Sequence, residues 1–417
     1  MAMENATANN MENVSAVAKD KTNQNQVSML GVYACFIALD LFITIFLTAR
    51  LFDVANIAAV AFFYVVLYTC IFIFFCLFSY IVKRHSRVRV IRVSMFLYVC
   101  VICLVMLLQD NIAETYLVLA VLDGIAQGMF WCAIHALSGQ VLGGARMKSF
   151  QSNYQILSSA ARIVFPITLG ALISFASFEI ATIVCIGVGV CLFIFTLFLC
   201  EPPSNKVHLS MSRYFTMIKK EKLFKPVRDN FIIQLFYGIF GLALLGTTLL
   251  IVMVFNNDFK LGVFNTLFAA ISIVIISVYK ILKNGKVKNS ILFFSCAVSL
   301  ILSFGLLLKI DATTIILFQA GFMSLSCIPK LESDTLRLNA MKYLNKPETI
   351  IESNMLSEFA YFIARLIVLG CFMLVYYLNE LLILQVLMVV LMAIMLFTSY
   401  LINRWYNNYN KEKIKNV

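Results

Sequence analysis

The chain has 417 residues, of which 62% are hydrophobic and only 13% are charged, and its mean hydropathy is +0.91. Soluble proteins carry about 45–50% apolar and about 25% charged residues, so a soluble globular enzyme and a disordered protein are excluded. A membrane-spanning helix needs ~20 mostly apolar residues, and the apolar content is enough for roughly twelve of them. The composition therefore predicts an all-α protein that crosses a membrane many times.

Twelve apolar runs, in two groups of six, follow a polar N-terminal segment over residues 1–27. We number them spans one to twelve: 28–49, 54–82, 88–108, 114–138, 152–174, 178–200, 230–254, 261–282, 289–308, 312–336, 352–377 and 381–402. The pattern predicts two six-helix halves, 28–200 and 230–403, joined by a cytoplasmic central loop over 201–229. The segments 1–27 and 404–417 are predicted to be cytoplasmic tails, the first of them disordered.

The basic residues lie almost entirely on one side of this predicted bundle. Of the 33 Lys and Arg residues, 27 fall in the two tails, the central loop and the loops after spans two, four, eight and ten, where Arg337 is counted. Only Arg50, Lys260 and Lys309 occupy loops on the opposite side, and three more lie inside predicted helices. Because cytoplasmic loops are rich in Lys and Arg, both termini are predicted to be cytoplasmic in a multi-pass plasma-membrane protein. The net charge of +12 is then a topology signal, and no nucleic-acid partner is expected.

Six plus six helices with a long basic central loop resemble the major facilitator superfamily of transporters, in particular bacterial members. Basic loops over 78–89 and 280–288 occupy the places of that family's loops after helices two and eight, and the first of them lacks the usual Gly and Asp. In span five, the segment from Arg162 through Pro166 to Gly170 resembles part of the Pro/Gly motif of the family's antiporters. The resemblance implies that the halves rock about a central cavity. It also implies that spans one, four, seven and ten line the cavity, with two, five, eight and eleven beside them.

Ionisable side chains inside the bilayer are energetically costly and therefore point to functional sites. The predicted helices contain nine of them: Asp40, Asp123, His135, Arg162, Lys330, Glu332, Asp334, Glu358 and Arg365. None lies inside spans three, six, nine or twelve, in agreement with the roles that the resemblance gives to the other spans. Asp123, Asp40 and Glu358 are the candidates for carrying a coupled proton.

A polar stripe at four-residue steps runs along span four and consists of Asp123, Gln127, Trp131 and His135. Each step rotates by about 400°, so the four residues share one slowly winding face of the helix. Gly124 and Gly128 form a small-residue pair that lets another backbone approach closely. The stripe is either a substrate or proton pathway or a polar seam that joins span four to a neighbouring helix.

Six residues are candidates for contact with substrate: Gln127, Trp131, Arg162, Gln234, Tyr237 and Arg365. Arg162 requires either an acid, with Asp123 and Asp40 available, or an anionic group of the substrate. Pro166 cannot donate a hydrogen bond to the Arg162 carbonyl, so a kink is expected there.

Lys330 and Glu358 are predicted to lie at similar depths in spans ten and eleven, and they are the candidate gating pair. Asp334 is a competing partner for Lys330, one turn away on the same helix face. A static contact between the two helices is the alternative to a gate.

No nucleotide-binding motif, catalytic triad or metal-ligand cluster occurs in the sequence, so no enzymatic activity, cofactor or metal is expected. The leading hypothesis is a secondary active transporter that moves a small solute by alternating access. We expect it to be proton-coupled and to export amphipathic compounds. The alternative is a lipid-handling or regulatory membrane protein that has the transporter fold without coupled transport. The expected partners are the lipid bilayer, a small-molecule substrate and protons or another coupling ion, and the chain is expected to be a monomer.

Overall fold

The computed structural model describes eleven stretches of the chain: 23–55, 57–141, 145–201, 209–243, 245–247, 250, 254, 258–282, 285–343, 349–378 and 381–415. All regular structure in these stretches is helical, which confirms the predicted all-α fold. The N-terminal tail 1–27 lies mainly outside the described residues, as does the segment 202–208 of the central loop.

Each predicted apolar run corresponds to a helix. Spans one to six are Asn23–Val54, Ile57–Arg84, Arg87–Leu107, Ile112–Val141, Ala145–Phe175 and Phe178–Leu197. A surface helix, Met211–Lys220, lies in the central loop. Spans seven to twelve are Phe224–Gly241, Asp258–Ile281, Gly285–Leu308, Ala312–Leu325 with Cys327–Tyr343, Ile350–Leu378 and Leu381–Lys415. Within the described residues, eleven helices are long and apolar enough to cross a membrane, and the apolar segment Thr266–Tyr279 of span eight is shorter.

Two spans depart from regular α-helix at places that bear on function, and a third contains a proline. Span one contains a π-helical stretch, Phe42–Leu47, directly after Asp40. Span ten is interrupted at Ser326, and its second helix has Pro329 in the first turn, where a missing N–H group is tolerated. Span five continues through Pro166, and the Thr266 hydroxyl of span eight donates to the neighbouring Ile163 carbonyl at 2.7 Å.

Spans two and eleven, together with spans five and eight, form the interface between the two groups of six helices. Within the first group, span four packs closely on span two. A Cβ atom added at Gly124 or Gly128 would lie 2.7 Å from the carbonyl oxygen of Leu67 or Ile71, respectively. The close approach predicted for this glycine pair is therefore confirmed.

Candidate functional site

A cavity of about 330 Å³ lies between the two groups of helices. Spans one, four, seven and ten line it, as the resemblance implied, and spans two, five and eleven also contribute. Its charged lining residues are Asp40, Arg162, Lys330, Asp334, Arg337, Glu358 and Arg365. The cavity therefore combines acids and bases from both halves of the chain.

Three members of the predicted stripe on span four, Gln127, Trp131 and His135, line this cavity. The Trp131 and His135 rings stack with their centroids 5.3 Å apart. Asp123 is not among the lining residues, because it lies behind Gln127, whose amide donates to Asp123 Oδ1 at 3.0 Å. Asp123 is only 1% exposed, and its second carboxylate oxygen has no hydrogen-bond partner among the described residues.

Aromatic side chains of span one form a wall beside the stripe, which the sequence interpretation did not identify. The Tyr33 ring lies 4.7 Å from the Tyr154 ring and 6.0 Å from Trp131, measured between centroids. Phe36 approaches Trp131 edge-on at 5.2 Å. Tyr33, Phe36 and Asp40 are three and four residues apart along span one, so helical periodicity carried the signal that places them on one face.

The predicted contact between Lys330 and Glu358 is not formed. Glu358 instead accepts a hydrogen bond at 2.9 Å from Arg365, two turns further along the same helix face. The Arg365 guanidinium also lies 4.4 Å from the centre of the Tyr68 ring. Lys330 is within electrostatic range of Asp40 and Asp334, but forms no ion pair in the described part of the chain. Similar depth in the membrane was therefore a poorer guide than a shared helix face.

Of the remaining substrate candidates, Tyr237 lines the cavity and Gln234 does not. Gln234 is fully buried and accepts a hydrogen bond from the Tyr361 hydroxyl, so it positions a lining residue from behind. Arg337, counted above as a loop residue, lies in the second helix of span ten and lines the cavity. Span ten therefore extends beyond its apolar run, and its second helix ends at Tyr343.

Three contacts join the two halves at the predicted cytoplasmic end. Lys83 of span two forms an ion pair with Glu352 of span eleven, and both side chains are more than nine-tenths buried. The Gln155 amide of span five donates to Asp334 Oδ2 of span ten at 3.3 Å. Ile350 packs so closely on Gly139 that an added Cβ atom there would lie 2.9 Å from it. The sequence interpretation identified Lys83 only as a topology signal and did not consider Glu352.

The described residues contain no group of three or more His, Cys, Asp or Glu side chains placed to hold a metal ion. The residues that line the cavity offer charge, hydrogen bonding and ring stacking to a bound molecule.

A helical bundle with a charged cavity between two groups of six helices is typical of membrane transport proteins. The family model of the Major Facilitator Superfamily matches residues 27–341, which is most of the chain. The chain belongs to the major facilitator superfamily. No curated protein shows a significant sequence match to it.

Solved transporter structures share the fold at low sequence identity. The human organic anion transporter MFSD10 (TETRAN) is 12% identical, with a TM-score of 0.64 over 91% of this chain and 99% of its own. A bacterial homologue of the iron transporter ferroportin, in an outward-facing state, is 15% identical, with a TM-score of 0.66 over 93% and 99%. The nucleoside transporter NupG is 13% identical, with a TM-score of 0.60 over 93% and 99%. These likenesses establish the fold, and the family match identifies the protein as a membrane transporter of this superfamily.

Proposed function

We propose that the protein is a secondary active transporter that moves a small amphipathic solute by alternating access. The observation that carries this proposal is the cavity of about 330 Å³ between the halves. Charged groups and aromatic rings line it together, so it offers partners for both parts of an amphipathic molecule. Because the lining comes from both halves, a rocking motion would alter access to the same bound solute.

Protons are the proposed coupling ion, and Asp123, Asp40 and Glu358 are the proposed carriers. Asp40 lines the cavity and has no ion pair within the described residues, so solvent in the cavity can reach it directly. Asp123 has one unsatisfied oxygen and is connected to the cavity only through Gln127. Glu358 is held by Arg365, so its protonation would release that guanidinium.

The ion pair of Lys83 and Glu352 replaces Lys330 and Glu358 as the proposed gate. It joins span two to span eleven at the predicted cytoplasmic end, so separation of the halves there must break it. Glu352 Oε1 is also 3.5 Å from the backbone N–H of Ser210, where the surface helix begins. The central loop therefore touches the proposed gate directly.

Export from the cytoplasm across the plasma membrane is the proposed direction, in keeping with the antiporter-like segment around Pro166. Both termini are proposed to be cytoplasmic. Reporter fusions after Gly285 and after Asp258 would then report the cytoplasm and the exterior, respectively. The reverse pattern would contradict this orientation.

Reconstitution in liposomes tests the proposed function. Vesicles are loaded with a defined mixture of small anions, cations, zwitterions and neutral solutes, a proton gradient is imposed, and each solute is quantified by mass spectrometry. The proposal predicts that at least one solute moves uphill and that collapse of the gradient abolishes the movement. Movement of labelled phospholipid without any gradient-driven solute flux would favour the lipid-handling alternative.

A further inference from the structure

We propose that the solute is a small amphipathic organic anion, whose anionic group lies between Arg162 and Lys330 while its apolar part lies against the aromatic wall. This inference rests on the proposed transport function and specifies the substrate class of the same cavity. It assigns binding roles to Arg162 and Lys330, whose partners the sequence left open.

The balance of charge in the cavity supports an anion. Besides His135, which is counted as neutral, seven ionisable side chains line it, four basic and three acidic. Arg365 and Glu358 neutralise each other in an ion pair. The remaining bases are Arg162, Lys330 and Arg337, against the two carboxylates of Asp40 and Asp334. One positive charge is therefore left uncompensated in a place where unpaired charge is costly.

The positions of the cations define where the anionic group binds. Arg162 comes from span five and Lys330 from span ten, so the two halves each contribute one cation. The two side chains lie within electrostatic range of each other and of the Asp40 carboxylate, but neither forms an ion pair or side-chain hydrogen bond with any described residue. A carboxylate between them would relieve their mutual repulsion, and the planar guanidinium can bind both of its oxygens.

The surroundings favour an apolar part on the same molecule. Trp131, Tyr33 and Phe36 present their rings to the same cavity, and Tyr237 lies on the opposite half. A volume of about 330 Å³ is near the lower end of ligand sites, which span ~300–1,000 Å³, so the anion must be small. An inside-negative membrane potential also favours outward movement of an anion, which agrees with the proposed export.

The chain offers an optical probe of this site, because it has only two tryptophans. Trp131 lines the cavity, and Trp405 is buried in span twelve. A Trp405→Phe variant in lipid nanodiscs therefore reports on the cavity alone. Three compounds with the same body are titrated: 3-phenylpropanoate, 3-phenylpropanamide and 3-phenylpropylamine. In parallel, we measure how much each compound shifts the thermal unfolding midpoint of the unmodified chain. This second measurement does not depend on the tryptophan replacement.

We expect the anion to change Trp131 fluorescence saturably and to stabilise the chain, with an affinity about tenfold or more above that of the amide and amine. Arg162→Gln and Lys330→Gln should each remove most of this preference, whereas Arg162→Lys and Lys330→Arg should retain part of it. Lys309→Gln is the matched control, because Lys309 is an exposed cation outside the cavity.

Equal binding of the three compounds, binding by none of them, or an unchanged preference in both Gln variants would overturn the anion site. The transport function is judged independently by the liposome assay. Uphill movement of only cationic or neutral solutes would leave that function standing while refuting the substrate class proposed here.

Discussion

Two ion pairs that involve span eleven, one buried and one partly buried, differ in which parts of the molecule they connect. Arg365 and Glu358 lie on one helix, so their contact survives any rigid movement of one half against the other. Lys83 and Glu352 belong to different halves, so movement of one half away from the other at this end would break their contact. The comparison indicates that only a charge pair that crosses the interface between the halves must break when the halves separate.

A third ion pair, between Arg87 and Glu201, adds to this contrast. The Arg87 side chain is buried and the Glu201 side chain is partly exposed, and both attach to helices of the first half. The Glu201 carboxylate accepts hydrogen bonds from the backbone N–H groups of Arg87 and Val88 at 3.0 and 2.9 Å. It also accepts from the Arg87 guanidinium at 3.2 Å and from the Ser86 hydroxyl at 2.6 Å. Glu201 therefore caps span three and attaches the end of span six to it.

The largest effect on stability is expected for the pair between the halves. Glu352→Gln leaves Lys83 buried opposite a neutral group, and removal of one partner from a buried pair typically costs about 3–5 kcal/mol. The thermal unfolding midpoint in detergent should fall for Glu352→Gln and for Lys83→Met. The double variant should lose less than the two single losses combined, because both charges are removed together. Simple additivity would show that the two residues are not coupled.

A smaller loss is expected when the cap of span three is removed. Glu201→Ala deprives two backbone N–H groups and the buried Arg87 of their acceptor, which should cost ~2 kcal/mol. Glu201→Gln retains an oxygen acceptor and should fall between this variant and the unmodified chain. Thermal unfolding of the three proteins side by side measures the order, and equal midpoints for Ala and Gln would refute the capping role.

Neutralising Glu358 in the ion pair with Arg365 should lower the free energy of unfolding by less than either change above. In Glu358→Gln, the Arg365 guanidinium keeps its place over the Tyr68 ring, so the loss should be about 1 kcal/mol. Glu358→Gln with Tyr68→Leu removes the carboxylate and the nearer ring, leaves only the Tyr361 ring at 5.6 Å, and should cost more than the two single changes summed. Strict additivity in the unfolding midpoints would show that Tyr68 and Glu358 support Arg365 independently.

The smallest change in stability, with a large change in function, is expected at Asp123. Asp123→Asn keeps the oxygen that accepts from Gln127 and removes the unsatisfied carboxylate oxygen, so the unfolding midpoint should hardly move. Proton-driven accumulation in liposomes should be abolished, while solute exchange without a gradient persists. Undiminished uphill transport would exclude Asp123 as a proton carrier and leave Asp40 and Glu358.

The sequence predicted the helical architecture well because hydropathy and charge asymmetry act on each span separately. The polar stripe of span four could also be predicted from the sequence, since Gln127, Trp131 and His135 follow one helix face. The Gly124–Gly128 contact followed from small side chains alone. Features encoded within a single helix were thus predictable.

Features that depend on how one helix lies against another were not. Glu352 was overlooked because nothing in span eleven itself indicates that Lys83 of span two lies opposite it. Arg337 was placed in a loop because hydropathy does not show that the helix continues past the end of its apolar run. The pairing of Glu358 with Arg365 was within reach, since a separation of seven residues already placed them on one face.

Access to the cavity from the cytoplasmic side tests the central claim most directly. Ser138 lines the cavity near the predicted cytoplasmic end. A Ser138→Cys variant in inside-out vesicles is labelled with a membrane-impermeant thiol reagent. Labelling of the chain without this change gives the background. The account predicts that Glu352→Gln raises the labelling rate several-fold, while Glu201→Gln, which weakens a contact within one half, leaves it unchanged. An identical rate in the Glu352→Gln protein and its parent would contradict the claim that this pair closes the cavity.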